Sequence, residues 1–545
     1  MNSNGGVSRR SLLAGMSGTA ALVVGAGALS GCQNAAPGST SQGGSPVKLP
    51  TYQPITGVTA DLPGTTSGVP DGFLRYPASP QAMVTGAPGQ GGTVTALLSS
   101  FAVTPTPPPR NTYWAELNKR LNTDLQLQVI PAPDYPAKLA TVVSGGQLPD
   151  MLEIFPAQPQ LPQLLNATCA DLTELLSGDA VKEFPSLAAF TTDMWRTTIF
   201  GNKIFGIPVP RPVQSTVPFV RTDLFSQRGL SADPKSWEEF VELCAALTNG
   251  KESRYALSQP PIAYLTGALG GANEWVEQDG KLVRYQETEQ FRQALVWCAE
   301  LNDRGYIHPD AFSANATVLG KQRLVGGTVG IHPDGFSAWG SLARLLPEGQ
   351  QNAIGGLTVR GFNGATPTYS VGAGSSNFTA FKKGDAGRIR ELLMVANYLA
   401  TPFGSAEFLF RKFGSAGAQH TMTDGNPTLS KQGTDEITPV TEALDYHLVD
   451  GVKVAYEGSL TEITQAKHAF AVAAEPGYVR SAVLGLYSET FARKNSTFAK
   501  TLTDVQNGII TGRQPITALD DALKSWNDGD GQQVKREFAE AKQAQ

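Results

Sequence analysis

The chain has 545 residues, 41% of them hydrophobic, and a formal net charge of −5 at pH 7. No long basic run supplies the positive surface that nucleic-acid binding requires, so a nucleic-acid partner is not expected. Beyond the N-terminus no stretch approaches the ~18 consecutive apolar residues of a membrane-spanning helix. The length exceeds what one hydrophobic core supports and predicts two large lobes.

The first 32 residues have the pattern of an export signal. Arg9 and Arg10 precede a short apolar run over 20–29, and small residues lead to Cys32. This order is typical of a secretory signal peptide, and the arginine pair indicates the twin-arginine route. The motif Leu-Ser-Gly-Cys resembles a bacterial lipobox, which predicts that Cys32 carries a lipid anchor at the extracellular face of the cell membrane. The alternative is a buried N-terminal helix.

Residues 33–90 are rich in Gly, Pro, Ser and Thr and carry few charges. A segment of this composition buries too little apolar surface to offset its conformational entropy. The sequence therefore predicts a disordered tether between the signal peptide and the folded lobes.

Strand and helix patterns alternate directly after this segment. Period-two alternation predicts strands over 93–98 and 125–129, and a short apolar run predicts a third strand over 151–155. Helical spacing predicts helices over 111–121 and 135–144. Because strands that alternate with helices form parallel sheets covered on both faces, this order predicts an α/β fold.

Two later helices are marked by their first residues. The run from Ser236 to Glu239 has the spacing of a capping box, and a second helix follows Thr288. Cys244 and Cys298 fall on the apolar faces of these helices, and no cysteine pair has the Cys-x-x-Cys spacing. We expect inert buried thiols at these positions and at Cys169, with one disulfide left open.

Short motifs occur in a fixed order from Gly92 to the C-terminus. The most specific runs from Arg221-Thr-Asp-Leu through Gly229-Leu230 to Ser236-Trp-Glu-Glu-Phe240. The others are Leu148-Pro149-Asp150, Ile207-Pro208, the strand from Gly326 to Ile331, and Gly512 to Trp526 followed by Gly529-Asp530-Gly531. In this order the chain resembles extracellular solute-binding proteins of family 1. Its size, its tether and the segment from Gly270 to Trp275 followed by Asp279 to Val283 resemble the larger branch of that family, which includes alginate- and oligosaccharide-binding lipoproteins.

The resemblance implies the two-lobe, type II periplasmic-binding-protein-like fold, in which each lobe is a sheet flanked by helices and a hinge joins the lobes. Lobe 1 would comprise 91–209 plus 376–470, and lobe 2 would comprise 210–375 plus 471–545. It also implies a monomer without catalytic activity or cofactor, which captures a carbohydrate, an oligosaccharide in particular, and delivers it to the permease subunits of an ABC importer.

Members of this branch often carry a calcium loop after the capped helix. Here that stretch keeps Asn249-Gly-Lys-Glu but lacks the early acidic residues. Since calcium takes six to eight oxygen ligands, several of them carboxylates, we expect no metal site at this position.

A sugar site needs flat aromatic faces for C–H surfaces and polar groups for hydroxyls. The ligand-binding candidates lie in loops or near strand ends, and they are Phe101, Asp150, Trp195, Trp275, Asp334 and Trp339. Core packing is the structural alternative for the aromatic residues, and capping or turn formation is the alternative for the two acids.

Catalytic motifs are absent from the sequence. It contains no Gly-x-Ser-x-Gly elbow, no phosphate-binding loop and no histidine pair with zinc spacing. A glycosidase needs only two carboxylates across a cleft, which sequence spacing does not reveal. A lipid-anchored glycan-degrading enzyme and a ligand-sensing partner of a membrane receptor therefore stay open as alternatives.

Overall fold

The computed structural model describes residues 47–101, 103–271, 274–313 and 315–543; the export signal, Cys32 and residues 33–46 lie outside this part of the chain. The strands are β1 (Thr93–Ser100), β2 (Asp124–Pro131), β3 (Met151–Ile154), β4 (Ile199–Phe200), β5 (Lys203–Ile204), β6 (Gly206–Pro210), β7 (Thr216–Arg221), β8 (Tyr255–Leu257), β9 (Trp275–Gln278), β10 (Lys281–Arg284), β11 (Val329–Gly335), β12 (Ile354–Gly356), β13 (Tyr369–Val371), β14 (Ser375–Phe381), β15 (His420–Thr423), β16 (Asn426–Leu429) and β17 (Tyr478–Arg480).

The α-helices are α1 (Thr112–Leu121), α2 (Tyr135–Ser144), α3 (Leu161–Thr168), α4 (Thr173–Leu176), α5 (Pro185–Ala188), α6 (Thr192–Arg196), α7 (Thr222–Gln227), α8 (Trp237–Leu247), α9 (Ile262–Ala268), α10 (Glu289–Asp303), α11 (Ala316–Val325), α12 (Ala338–Arg344), α13 (Ala386–Leu399), α14 (Ala406–Phe413), α15 (Lys431–His447), α16 (Thr461–Ala474), α17 (Glu489–Ile510), α18 (Thr517–Trp526) and α19 (Gln532–Gln543). Among the described residues, no helix combines the length and the apolar character needed to cross a lipid bilayer.

Lobe 1 is built on a five-stranded sheet with the order β2-β1-β3-β14-β6. β1 pairs in parallel with β2 and β3, which confirms the parallel arrangement predicted from the alternating strands and helices. β14 runs antiparallel between β3 and β6. Apolar side chains on both faces of this sheet are buried, Leu98 with Leu444 on one face and Leu97 with Leu139 on the other. The sheet is therefore covered by helices on both sides.

Lobe 2 contains a four-stranded sheet with the order β12-β7-β11-β8. β7 is antiparallel to β11 and β12, whereas β8 is parallel to β11. The predicted cap of α8 is present, because the Ser236 hydroxyl accepts from the Glu239 N–H at 3.2 Å. The Glu239 carboxylate, however, accepts from the Lys235 N–H rather than from that of residue 236.

Three segments of the described chain after residue 90 connect the lobes, at 211–215, 372–374 and 449–460. The third connection ends earlier than expected, because α16 packs against α12 and β12 of lobe 2. The α16 residues Ile463 and Ala471 are buried in one cluster with Phe219 of β7. The expected end of lobe 1 at residue 470 is therefore too late, and lobe 2 resumes with α16.

Residues 47–90, which we call the strap, are packed on the lobes and do not form the expected disordered tether. Val69 is buried in a lobe 2 cluster with Trp339. Phe73 and Tyr76 are buried against Phe403, with ring centroids 4.3 and 4.9 Å from that ring. Composition did not reveal this order because the lobes, rather than the strap itself, provide the apolar surface that buries these few side chains.

Polar contacts fix the strap at both of its ends. The Thr51 N–H donates to the Gly178 carbonyl at 2.9 Å. Further along, the Tyr76 hydroxyl donates to the Ser405 carbonyl at 2.7 Å, and the Met83 N–H donates to the Glu407 carboxylate at 3.0 Å. Because buried backbone groups find partners in this way, the segment contributes to the folded body.

Substitution of one strap residue tests this packing. Phe73→Ala is expected to lower the free energy of unfolding by ~3 kcal/mol, because a buried ring is removed from the contact with Phe403. Tyr52→Ala is the matched control, since that side chain is 49% exposed. Urea unfolding measures both variants. Equal stability of Phe73→Ala and the unmodified chain would contradict the packing of the strap.

Candidate ligand-binding cleft

The connections between the lobes define which edges of the two sheets face each other. β6 ends at Pro210, directly before the first connection, and β1, β3 and β6 run in the same direction. β7 begins at Thr216 directly after that connection, and the antiparallel β11 therefore ends at the same edge. Carboxyl ends of strands in open α/β sheets are the usual position of ligand crevices. The edges that face each other thus form the cleft.

Two aromatic rings mark the lobe 1 side of the cleft. Phe101 directly follows β1 and is 88% exposed, with its ring centroid 6.2 Å from that of His447. Phe155 directly follows β3, is 40% exposed, and contacts Tyr135 edge-on. Of the predicted site residues, Phe101 has the accessible flat face that stacking on a sugar requires, and Phe155 was not anticipated.

A buried carboxylate holds this side of the cleft together. Glu153 accepts hydrogen bonds from the Ser99 N–H and hydroxyl, each at 2.7 Å, and from the Asn377 amide at 2.6 Å. His447 Nδ1 lies 2.8 Å from the same carboxylate. These bonds join β1, β3, β14 and the end of α15. Sequence reasoning missed the cluster, although a glutamate inside the apolar strand Met151–Ile154 was a signal for it.

Arg211 occupies the start of the first connection. Its Nε donates to the Ser376 hydroxyl at 3.2 Å, and its Nη2 donates to the Tyr446 carbonyl at 2.5 Å. Its guanidinium carbon lies 4.3 Å from the centroid of the Tyr446 ring, which is a cation–π distance. Burial lowers the pKa of the Arg211 guanidinium, and nearby Tyr446 and Glu153 oppose that shift. Arg211 was not among the predicted ligand contacts.

The lobe 2 side of the cleft contains a pocket with a volume of about 340 Å³. Aromatic, proline and polar side chains share its wall with aliphatic ones. The first three kinds include Thr216, Pro218, Gln259, Tyr264, Glu274, Tyr285, Pro333, Thr368 and Tyr369. Ser215 and Ser370, which flank the first two connections, also line it. The pocket therefore opens where the connections enter lobe 2.

Glu274 is the acidic group of this pocket. Water reaches its side chain, yet the surrounding walls partly desolvate it and raise the pKa of its carboxyl, an effect that Arg284 opposes. Burial likewise raises the pKa of the Tyr285 hydroxyl, so that this group stays protonated and able to donate. Together with Gln259 and Thr368, these side chains offer donors and acceptors that suit hydroxyl groups.

The three tryptophans proposed as ligand contacts are core residues, and this corrects the expectation for each. Trp275 is 0% exposed and packs edge-on against Phe538 in lobe 2. Trp339 is 1% exposed, packs against Phe219, and donates from its indole to the Ile354 carbonyl at 3.2 Å. Trp195 is also fully buried, in the core of lobe 1. None of these rings has a face open to a ligand.

The two acidic candidates have structural partners. Asp150 accepts from the Thr95 N–H and hydroxyl at 2.9 Å and pairs with Arg388 at 3.0 Å. It lies before β3, at the sheet edge opposite the cleft, which corrects its expected ligand role. Asp334 lies at the cleft edge of β11, but its carboxylate is 3.0 Å from the Lys321 ammonium and its side chain is only 17% exposed.

Metal and thiol chemistry have no candidate groups in this part of the chain. Over the described residues, no group of three or more His, Cys, Asp and Glu side chains could hold a metal ion. At the degenerate calcium loop, Asn249 and Arg254 form a backbone bridge around a short turn. Cys169, Cys244 and Cys298 are buried and free, which confirms the expected buried thiols, and none of the three forms the disulfide that the sequence left open.

The corrected role of Trp339 leads to a stability prediction. Trp339→Ala is expected to lower the free energy of unfolding by ~3–5 kcal/mol, because a fully buried ring is replaced by a cavity. Phe101→Ala is expected to leave stability unchanged, since its ring is largely in solvent. Thermal and urea unfolding compare the two variants. A stable Trp339→Ala protein would show that the ring is not part of the core.

Comparisons with known proteins agree with this geometry. The model of the bacterial extracellular solute-binding protein family matches residues 112–388. Lipoprotein LipO of Bacillus subtilis (strain 168) is 20% identical over 77% of this chain and 87% of its own length. The polygalacturonan/rhamnogalacturonan-binding protein YtcQ of the same organism is 20% identical over 80% of this chain and 88% of its own length.

The fold is also similar to that of a solved binding protein. The crystal structure of the alginate-binding protein AlgQ2 has a TM-score of 0.61 and 15% sequence identity, over 85% of this chain and 99% of that protein. The two sheets, the connections between them and the cleft at their facing edges are those of a two-lobe periplasmic-binding-protein fold. The chain therefore belongs to the family of bacterial extracellular solute-binding proteins.

Proposed function

We propose that the protein captures a carbohydrate, in particular an oligosaccharide, between its lobes and delivers it to the permease subunits of an ABC importer. The observation that carries this proposal is the placement of exposed aromatic rings, and of a mainly apolar pocket of about 340 Å³ with a few polar groups, at sheet edges that face each other. Such a combination of flat apolar faces and convergent polar groups suits a sugar.

The two sides of the cleft would contribute different contacts. Phe101 and Phe155 would cover the C–H faces of sugar rings, while Gln259, Glu274 and Thr368 would bind hydroxyl groups. Because the contacts come from both lobes, ligand would stabilise the closed arrangement, and capture would be a population shift about the connecting segments. A monomer suffices for this mode of binding.

The names of similar proteins support the choice of ligand class. YtcQ is named for binding polygalacturonan and rhamnogalacturonan, and AlgQ2 is named for binding alginate. All of these ligands are polysaccharides. Since these similar proteins are named for binding rather than turnover, we favour capture over glycan cleavage.

The export signal supports an attachment to the membrane through lipid. Arg9, Arg10 and Cys32 have the order of a twin-arginine signal followed by a lipobox. LipO, which is similar over most of the chain, is itself named a lipoprotein. We therefore place the folded lobes at the extracellular face of the cell membrane, next to the permease.

A panel of oligosaccharides tests the proposed ligand class. At least one is expected to raise the thermal midpoint of the purified chain, because a ligand that binds only the folded state stabilises it. Phe101→Ala is expected to weaken that binding about tenfold, or ~1.4 kcal/mol, through the loss of the stacking face. Titration calorimetry measures the affinities, and chromatography of the sugar detects any cleavage.

Met422→Ala serves as the control, because this side chain is half exposed on β15 and outside the cleft. It is expected to bind the sugar like the unmodified chain. Unchanged affinity of Phe101→Ala would remove that residue from the site. Turnover of the sugar, or the lack of binding by every member of the panel, would contradict the proposed function.

Removal of the lipid-accepting thiol tests the anchor. Cys32→Ser is expected to release the protein from the membrane fraction into the medium, because acylation of that thiol provides the attachment. Fractionation of cells followed by immunoblotting measures the distribution. Retention of the variant in membranes after a high-salt wash would contradict a lipid anchor at Cys32.

A further inference from the structure

Arg211 is positioned at the base of the cleft by its own backbone. It directly follows β6, and its N–H donates to the Gly374 carbonyl at 2.6 Å, so that the first two connections between the lobes are bonded to each other here. The partners of its side chain lie in β14 and α15, so the guanidinium belongs to the lobe 1 side of the first connection. A ligand held by both lobes would pass next to this connection.

The guanidinium is held in one orientation by neutral groups. Its Nε donates to the Ser376 hydroxyl, and its Nη2 donates to the Tyr446 carbonyl. One face of the guanidinium packs on the Tyr446 ring. Its Nη1 has no hydrogen-bond partner among the described residues. A guanidinium whose orientation is already fixed loses little side-chain entropy when its remaining donor finds an acceptor.

The nearest carboxylates are occupied by other groups. Glu153 accepts from Ser99, Asn377 and His447, as described above. Asp445 and Asp450 both pair with Lys412. The contacts that hold the Arg211 side chain are thus a hydroxyl, a carbonyl and an aromatic ring, none of which neutralises its charge. Glu153, Asp445 and Asp450 act on this charge without contacting the guanidinium, and they offset only part of the cost of its burial. An anionic ligand group in direct contact would offset more of that cost.

We propose that Arg211 binds a carboxylate of the ligand, so that the captured oligosaccharide is acidic, with at least one uronate-type residue next to the first connection. This inference rests on the proposed function and adds the charge of the substrate to it. A planar guanidinium is the side chain best matched to a carboxylate. Glu274, in the lobe 2 pocket, would accept from sugar hydroxyls, and the acidic unit therefore lies on the lobe 1 side.

Pairs of oligosaccharides that differ only in charge test this inference. We would measure affinities for tetragalacturonate against galactotetraose and for tetramannuronate against mannotetraose, by titration calorimetry at low ionic strength. The chain is expected to bind at least one acidic member tenfold or more tightly than its neutral counterpart. Arg211→Gln is expected to lose that preference, while its affinity for the neutral counterpart changes less than threefold.

Two further variants control for charge and for folding. Arg304→Gln removes one positive charge from the surface at the end of α10, where Arg304 pairs with Glu300. This variant should keep the preference for the acidic sugar. Arg211→Lys keeps the charge without the planar fork and should retain part of the preference. If Arg211→Gln is too unstable to titrate, the affinities of the unmodified chain and of Arg211→Lys for the acidic and neutral sugars are compared instead.

The outcomes separate this inference from the proposed function. Binding of neutral oligosaccharides as tightly as their acidic counterparts would overturn the inference and leave the proposed function intact. Equal weakening of both classes by Arg211→Gln would likewise overturn it, since the residue would then act on cleft structure. The absence of binding by any acidic or neutral oligosaccharide would contradict both proposals.

Discussion

The site depends on one constraint, which is that the connections between the lobes leave the two sheets at edges that face each other. The strands β1, β3 and β6 share a direction, so the residues that follow them in lobe 1 lie beside the first connection. β11 and β8 end at the corresponding edge of lobe 2. The proposed hinge motion and ligand contacts rest on this arrangement, and so does the position of Arg211. Glu153 fixes the lobe 1 side, because its bonds join three strands and the end of a helix.

The strap contacts both lobes and the third connection between them. Gly72 pairs with Ala455 in the third connection, and the Phe73 N–H donates to the Ala455 carbonyl at 2.9 Å. Val69 is buried in lobe 2, whereas Tyr76 is buried in lobe 1. A single extended segment therefore packs on both sides of the proposed hinge and bonds to one of the connections that cross it.

The parts of the fold predicted from sequence are those set by local patterns. Helical periodicity located α2 at Tyr135–Ser144, and the Ser236 hydroxyl caps α8 as its spacing indicated. The strap was missed, because its buried side chains lie on extended backbone without a period. Trp275 was misplaced, because a tryptophan in a polar loop has the same sequence pattern whether its ring enters the core or the solvent. Arg211 was not predicted, because the orientation of its side chain depends on Ser376 and Tyr446, which are distant in sequence.

A crystal structure of the chain with a bound oligosaccharide would show directly whether the sugar lies between the lobes. We expect electron density for the sugar there, with one ring against Phe101 and hydroxyl groups in the pocket that Gln259 and Thr368 line. Contacts from both lobes to the same sugar chain would establish capture in the cleft. Density confined to one lobe, or on a surface away from these edges, would contradict the account.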